Sequence, residues 1–315
     1  MSALRKRAAI VADRTDRRDD HPIALEARKV LIVANPTSGG YRPRFLDAVR
    51  AHLAAGGCEV EVRLTTRAGE IGEICADPRL AVGILAVAGG DGSVNEAITG
   101  FQSNPMPPDL AVIPFGTANV LAHELGLPTS AEGLARMMLR RKTAPLHYGL
   151  ANGRPFVLMA SAGFDAEVVH AVPLALKRRL GKLAYVITAL RLAFTRKGRD
   201  LEATADGERI VCRLAVATNG RCYGGPFTVC PDASVSRPGL HLLALEKDGP
   251  LSALRFGLAL LLGRVHKARG VRLRPFAHLR IASTHAVPAQ VDGDPFGRTP
   301  VEITAAPDAL SILVP

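Results

Sequence analysis

A two-domain protein with an α/β first half is predicted by three features of the sequence. Apolar runs alternate with helical stretches as far as residue 147, closely spaced strands follow, and the chain has 315 residues. At that length, with 48% hydrophobic and 22% charged residues, it can bury a sizeable core and divides more naturally into two domains than one. Strands alternating with helices imply a mostly parallel sheet in residues 28–147. Residues 148–315 read as a β-rich domain.

Element by element, Lys29–Ala34 is a short β-branched run that ends at Asn35-Pro36, as a buried strand followed by a turn does. Tyr41–Ala55 carries apolar residues at helical spacing and is closed by Gly56-Gly57. Cys58–Leu64 alternates as a strand, Ala68–Ala76 reads as a helix and Val82–Ala88 as a strand. Ser93–Gly100 opens a helix, and Leu110–Ile113 is a further strand. In the second half, strands are expected at Phe156–Ser161, Leu201–Thr204, Arg209–Asn219, Leu240–Leu245, Leu279–Ala282, Val301–Thr304 and Ser311–Val314. Helices are expected at about Pro173–Thr195 and Leu251–His266. Residues 1–27 read as a mobile arm of mixed charge, whose apolar stretch Ala8–Ala12 is far too short for a signal peptide.

The formal charge of +11 implies an anionic partner. Nucleic acid is disfavoured, since aromatics make up 4% of the chain, tryptophan is absent and no nucleic-acid-binding signature occurs. Five cysteines without a CxxC pair argue against a zinc site or a disulfide framework and suit a reducing cytoplasm. The longest apolar runs are broken by Arg or Lys well short of the ~18 to 20 residues of a membrane span.

Three polar, glycine-bearing turns follow successive strands. The run Gly89-Gly90-Asp91-Gly92-Ser93-Val94-Asn95 leaves a strand and opens a helix, the setting of a phosphate-binding loop, in which glycines admit the phosphates and helix N–H groups face their charge. Asn35-Pro36-Thr37-Ser38-Gly39 follows the first strand, and Gly116-Thr117-Ala118-Asn119 the fourth. Each alone reads equally well as a plain turn. Together they point to a crevice at the strand ends, where open α/β sheets bind ligands. Walker A and Rossmann glycine patterns are absent.

In order and spacing, NPTSGG at Asn35, GGDGSVNE at Gly89 and PFGTANVLAHELGLP from Pro114 to Pro128 resemble the diacylglycerol kinase catalytic-domain family of lipid kinases. That family includes bacterial diacylglycerol kinases and eukaryotic sphingosine and ceramide kinases. The resemblance implies an α/β nucleotide-binding domain followed by a β-sandwich, with ATP in the cleft between them. It implies nucleotide contacts from Asn35, Pro36, Thr37, Ser38 and Gly39, from Gly89 to Asn95, and from Gly116, Thr117 and Asn119. Thr65 or Thr66 is expected near the nucleotide.

Phosphoryl transfer also needs shielded phosphates and a carboxylate that takes the acceptor's proton. Gln290-Val291-Asp292-Gly293-Asp294 stands where the family reads Asp-Gly-Glu, so Asp294 is the expected base and Asp292 its neighbour; an ordinary Asp-Gly hairpin is the competing reading. Where the family carries an Asp-Gly-Leu segment for Mg²⁺, this chain has Pro238-Gly239-Leu240. Asp232 is the substitute ligand to test, with nucleotide and water as the other way to hold the ion.

Two stretches free of acidic residues, Val168–Arg199 and Gly249–Val291, mix basic and apolar side chains. They suit the anionic inner face of the cytoplasmic membrane, with peripheral attachment; a solvated helix face is the bland alternative. The expected activity is ATP-dependent phosphorylation of a lipid hydroxyl, diacylglycerol before sphingoid base or ceramide. A kinase of a soluble acceptor and a nucleotide-responsive lipid-binding protein without transfer activity are the competing readings.

Overall fold

A computed structural model of the chain describes residues 28–173, 181–195, 199–247 and 249–315. The arm expected at 1–27 lies outside them, as do Lys177, Arg178, Arg179, Arg196 and Lys197 of the first basic stretch.

Strands β1 (Lys29–Ala34), β2 (Glu59–Leu64), β3 (Ile84–Gly89) and β4 (Asp109–Pro114) form a parallel sheet in the order β2-β1-β3-β4. The central strands are covered on both faces and so read as unbroken apolar runs, whereas β2 at the edge alternates. Helix α1 (Pro43–Ala55) begins on a proline, whose fixed φ suits the first turn, and buries Leu46, Val49 and Leu53 along one face. Helices α2 (Glu70–Ala76), α3 (Asp91–Phe101), α4 (Val120–Leu125) and α5 (Ala131–Arg140) complete the covering layers.

The second half contains two six-stranded antiparallel sheets. One runs β10-β9-β16-β19-β6-β7 and the other β15-β14-β11-β8-β17-β18. In chain order their strands are β6 (Gly149–Ala151), β7 (Arg154–Phe156), β8 (Met159–Gly163), β9 (Leu201–Ala205), β10 (Glu208–Cys212), β11 (Leu214–Thr218), β14 (Leu240–Leu245), β15 (Val271–Phe276), β16 (His278–Ala282), β17 (Pro288–Val291), β18 (Asp294–Arg298) and β19 (Val301–Ala305). A core that includes Phe156, Leu242, Ile281 and Ile303 fills the space between them. Short strands β12 (Cys222–Tyr223) and β13 (Phe227–Thr228) make a separate ribbon. Helices α6 (Phe164–Ala171), α7 (Lys182–Thr195) and α8 (Pro250–Leu261) interrupt the strands.

Three expected strands are divided or reassigned. Arg209–Asn219 is broken at Arg213, so that β10 joins one sheet and β11 the other; Arg213 donates its N–H to Leu245 O at the break, 2.8 Å away. Phe156–Ser161 is interrupted at Val157 and Leu158, whose N–H groups turn to the Asp292 carboxylate instead of a neighbouring strand. The last strand, β20 (Leu310–Leu313), leaves the β-rich half and returns to the first sheet, parallel to β4 and antiparallel to β5 (Thr143–Leu146). The chain therefore crosses between its halves twice. One apolar cluster also spans both, from Leu31 and Val87 of the parallel sheet to Leu158 and Leu214.

Candidate active site

At the carboxyl ends of β1, β3 and β4 the three glycine-bearing turns meet. Asn35 donates its N–H to Ala88 O at 2.9 Å, and its Oδ1 accepts from the Thr37 N–H at 2.9 Å and the Thr37 hydroxyl at 2.7 Å. This Asx turn folds residues 35–38 back over the strand end. Gly40 N–H donates to Phe115 O at 2.8 Å, tying the first turn to the third. A Cβ on Gly116 would stand 2.5 Å from Gly90 Cα, so the second and third turns touch backbone to backbone and tolerate only glycine there.

No side chain caps α3 at Gly90, which leaves the positive end of an 11-residue helix for an anion. Asp91 borders the cleft too, but its carboxylate is bonded to the next helix. Its Oδ2 accepts from Val120 N and its Oδ1 from Leu121 N, both at 3.0 Å, and so caps α4. Burial raises its pKa, with those two N–H groups opposing. Asn119, at φ 47°, bonds Gly116 twice: Oδ1 accepts its N–H at 2.7 Å and Nδ2 donates to its carbonyl at 2.8 Å. Both residues brace the turns for whatever the backbone N–H groups receive.

The other expected contacts separate in the same way. Ser38, Gly39, Gly90, Asp91, Gly92, Ser93, Gly116 and Thr117 line the cleft, as do Asn35 and Asn95. Pro36, Thr37, Gly89, Val94 and Asn119 do not line it: Thr37 is exposed to solvent and the Val94 side chain belongs to the core. Thr65 donates its N–H to Ala34 O at 2.9 Å, and Thr66 donates from N and Oγ1 to the Glu70 carboxylate at 2.7 and 3.1 Å. Neither threonine lines the cleft.

Asp292 and Gly293 form a two-residue hairpin turn between β17 and β18, with φ of 48° and 85°. This is the Asp-Gly turn that the right-handed twist of a hairpin prefers. The two acids in it have different surroundings. The Asp292 carboxylate accepts from Val157 N (2.7 Å), Leu158 N (2.9 Å), Met159 N (2.8 Å) and Asn95 Nδ2 (2.7 Å). Burial pushes its pKa up to about 6, against the pull of those four donors. Asp292 is therefore a clamp that joins α3 to the hairpin. Asp294 is exposed, and its Oδ2 would lie 3.4 Å from a Cβ placed on Gly92. It faces the turn at Gly92 from the β-rich half of the chain.

Two groups beside Asp294 escaped the sequence reading. Glu96, at the end of the quoted GGDGSVNE run, accepts from Gly69 N at 3.2 Å; its pKa is raised by burial and, further, by the Asp294 charge. Below the hairpin lies a buried polar cluster of Ser161, Asp165, Tyr223 and Gln290. Its members are scattered over 130 residues of sequence: the pairing of β8 with β17 brings Ser161 to Gln290, and the β12 ribbon brings Tyr223 to Asp165, so periodicity could not have revealed them.

Asp232 is exposed on a turn near Arg237 and His241, outside the cleft lining. Among the described residues no group of three or more His, Cys, Asp or Glu could hold a metal ion. Asp91 and Asp292 are engaged by N–H donors, and Asp165 accepts from the Ala166 N–H and the Ser161 hydroxyl. A magnesium site built wholly from these side chains does not fit.

The cleft has a volume of about 1950 Å³, beyond the ~300 to 1,000 Å³ of a single small-ligand pocket. Its polar end is the three turns. Its other end is apolar and lies between α7 and α8, where Leu190, Phe194, Leu254 and Leu258 line it. Gly181, just before α7, lies against Thr117: a Cβ there would come within 3.2 Å of Thr117 Cγ2. The apolar end thus begins beside the glycine-bearing turn of Thr117.

Comparisons with known proteins agree with this arrangement. Residues 29–151 match the model of the diacylglycerol kinase catalytic domain, and residues 159–314 that of the YegS C-terminal NAD kinase beta sandwich-like domain. The chain is 26% identical to the diacylglycerol kinase of Bacillus subtilis (strain 168), across 91% of this chain and 97% of that one. It is 30% identical to the "Probable lipid kinase YegS-like" protein of Pseudomonas aeruginosa (strain UCBPP-PA14), across 92% and 96%. A solved structure from Bacillus anthracis str. Sterne superposes with a TM-score of 0.79 at 22% identity, covering 91% of this chain and 95% of that one, which shows the shared fold. The chain belongs to the family of diacylglycerol kinases and YegS-like lipid kinases, phosphotransferases with an alcohol group as acceptor.

Proposed function

We propose that the chain transfers the γ-phosphoryl group of ATP to a lipid hydroxyl, with diacylglycerol as the first acceptor and phosphatidic acid as the product. The observation that carries this reading is the position of Asp294, which faces Gly92 and lines the same cleft as the apolar side chains of α7 and α8. The backbone of the three turns and the N-terminus of α3 hold the triphosphate. Asp294 accepts the proton of the lipid hydroxyl as its oxygen bonds to the γ-phosphorus and the bond to the ADP oxygen breaks. Magnesium, which would shield the phosphate charge, would be held by the nucleotide phosphates and water; the described residues include no group of three or more His, Cys, Asp or Glu that could hold it.

The apolar end of the cleft suits acyl chains, and its rim suits a membrane surface. On α7, Leu183, Ile187, Leu190 and Phe194 are exposed at alternating spacings of four and three; on α8, Leu251, Leu254, Leu258 and Leu261 repeat the pattern. Phe194 is 74% and Leu254 69% exposed. Arg191, Arg255, Arg264, Lys267 and Arg269 are exposed on or beside these helices, each contributing roughly 1 kcal/mol toward an anionic leaflet. No helix among the described residues is long and apolar enough to cross a membrane. Peripheral attachment to the inner face of the cytoplasmic membrane follows from this reading.

The test is magnesium-dependent transfer of labelled γ-phosphate from ATP to diacylglycerol, monoacylglycerol, sphingosine and ceramide in anionic micelles, with Gly90→Asp as the control. A labelled lipid that disappears in the variant names the acceptor; sphingosine or ceramide as the labelled species replaces diacylglycerol. ATP binding without any lipid product refutes the proposal.

A further inference from the structure

We infer that Gln290 is a positioning residue for Asp294, oriented from below by the buried cluster of Ser161, Asp165 and Tyr223. The inference rests on the reading of Asp294 as the proton acceptor. Gln290 is 2% exposed, sits in β17, and has Ser161 of β8 as its cross-strand neighbour. Its Oε1 accepts the N–H of Gly293 at 2.8 Å, and its Nε2 donates to Ser161 Oγ at 2.8 Å. The Gln290 side chain thus reaches past Val291 to hold the Asp292–Gly293 peptide, the central peptide of the turn that leads into Asp294.

The cluster fixes which way that amide points. Ser161 has one hydroxyl hydrogen, and it is directed at Asp165 Oδ2, 2.6 Å away. Tyr223 donates to the same oxygen at 3.3 Å, and Ala166 N donates to Oδ1 at 2.7 Å. With its hydrogen committed, Ser161 Oγ can only accept from Gln290. The NH₂ of Gln290 must therefore face Ser161, and its oxygen must face Gly293. A flipped amide would set two donors against each other at the turn. Asp165 acts through Ser161 and Gln290, whose Nε2 also lies 3.4 Å from Asp165 Oδ2, on the turn peptide that precedes Gly293 and so on the turn that presents Asp294.

A purely architectural role would not call for this group. Gln290 points to the face of β17 opposite that of the apolar Ala289 and Val291, and a buried amide costs stability unless every bond is met. If Gln290 only filled space, leucine would serve as well or better.

The experiment compares kcat, KM for ATP and thermal unfolding in wild type, Gln290→Leu, Ser161→Ala and Asp294→Ala. For Gln290→Leu the expected result is a kcat about 10- to 100-fold lower, with KM for ATP within about twofold because the nucleotide turns are untouched. Ser161→Ala should change kcat in the same direction by less. A Gln290→Leu kcat within about twofold of wild type, beside an inactive Asp294→Ala, overturns the role of Gln290 and leaves that of Asp294 standing. Normal turnover in Asp294→Ala refutes the base assignment and this inference with it.

Gln290→Glu keeps the test decisive if the leucine variant fails to fold. Its carboxylate would meet Asp165 and Ser161 below, with Asp292 and Asp294 on the turn, Tyr223 behind Asp165, and His170 2.8 Å from the neighbouring Ala289 carbonyl. Only the protonated acid can both accept from Gly293 and donate to Ser161. The kcat of Gln290→Glu relative to wild type should therefore rise as pH falls from about 8 to 6; a flat ratio overturns the proposal.

Discussion

Alanine at Asp292 would leave four donors facing an empty site: three consecutive backbone N–H groups, at Val157, Leu158 and Met159, and the side-chain amide of Asn95. Asn95 keeps a second acceptor in Pro155 O at 3.0 Å, but the three N–H groups have turned from the strand ladder and have no substitute. At about 1 to 3 kcal/mol for each stranded donor, and with water entering at the half-buried turn to recover part of it, the expected loss is about 3 to 5 kcal/mol. The residue also sits at positive φ, which Asp tolerates better than Ala. Urea unfolding at pH 7 measures the loss as a shift in midpoint at constant slope. A loss below about 1 kcal/mol would refute the clamp.

The pH dependence of the same clamp has a definite sign. Burial raises the Asp292 pKa to about 6 in the native state, above its unfolded value near 3.9. The native state then binds more protons than the unfolded one between about pH 4 and 6, so this group's contribution to stability falls as pH rises through that window. Asp292→Asn, which cannot titrate, should lack that slope. Its stability deficit relative to wild type should be larger at pH 4.5 than at pH 7.

Other expectations follow from the same geometry. Gly116→Ala forces a Cβ to within 2.5 Å of Gly90 Cα and 2.7 Å of Asn119 Oδ1, so ATP affinity by calorimetry should fall at least about tenfold; unchanged affinity would mean that the turns can part freely. Replacing Leu190, Phe194, Leu254 and Leu258 together by serine should abolish sedimentation with anionic vesicles while ATP binding stays normal, and vesicle binding like wild type would move the membrane face elsewhere. Glu124 is nearly enclosed and accepts from Arg221 N and Cys222 N, each at 3.1 Å, tying α4 to the β12 ribbon. Glu124→Ala should cost about 2 to 4 kcal/mol in chemical unfolding, and a loss within about 0.5 kcal/mol would show that the tie contributes nothing.

How much of this was legible in the sequence depends on the range of each interaction. The parallel sheet could be read because β1, β3 and β4 are buried on both faces and declare themselves as local apolar runs. The three turns could be read because glycine, asparagine and proline punctuate the chain where the backbone must bend. The division of Arg209–Asn219 between two sheets could not, since β10 and β11 are both apolar enough to look continuous and only the partner strands separate them. The return of β20 to the first sheet is equally invisible, because it depends on pairing with β4 and β5 more than 160 residues away.

The site divides along the same line. Residues quoted from one motif turned out to have different tasks: Gly90 and Gly92 border the cleft, Asp91 caps a helix of the next turn, and Asn95 reaches across to Asp292. A motif marks which residues must be kept together, and the fold decides which of them face the ligand. In QVDGD the two acids are separated by one glycine, yet one is enclosed by four donors and the other is exposed opposite Gly92. The hairpin produces this difference by turning Asp292 inward at positive φ and starting β18 at Asp294. If Asp294 takes the proton as proposed, it must be exposed to meet the hydroxyl, while the turn that carries it must be anchored to stay in register with Gly92. Dividing exposure and anchorage between two acids one glycine apart lets a single turn satisfy both requirements.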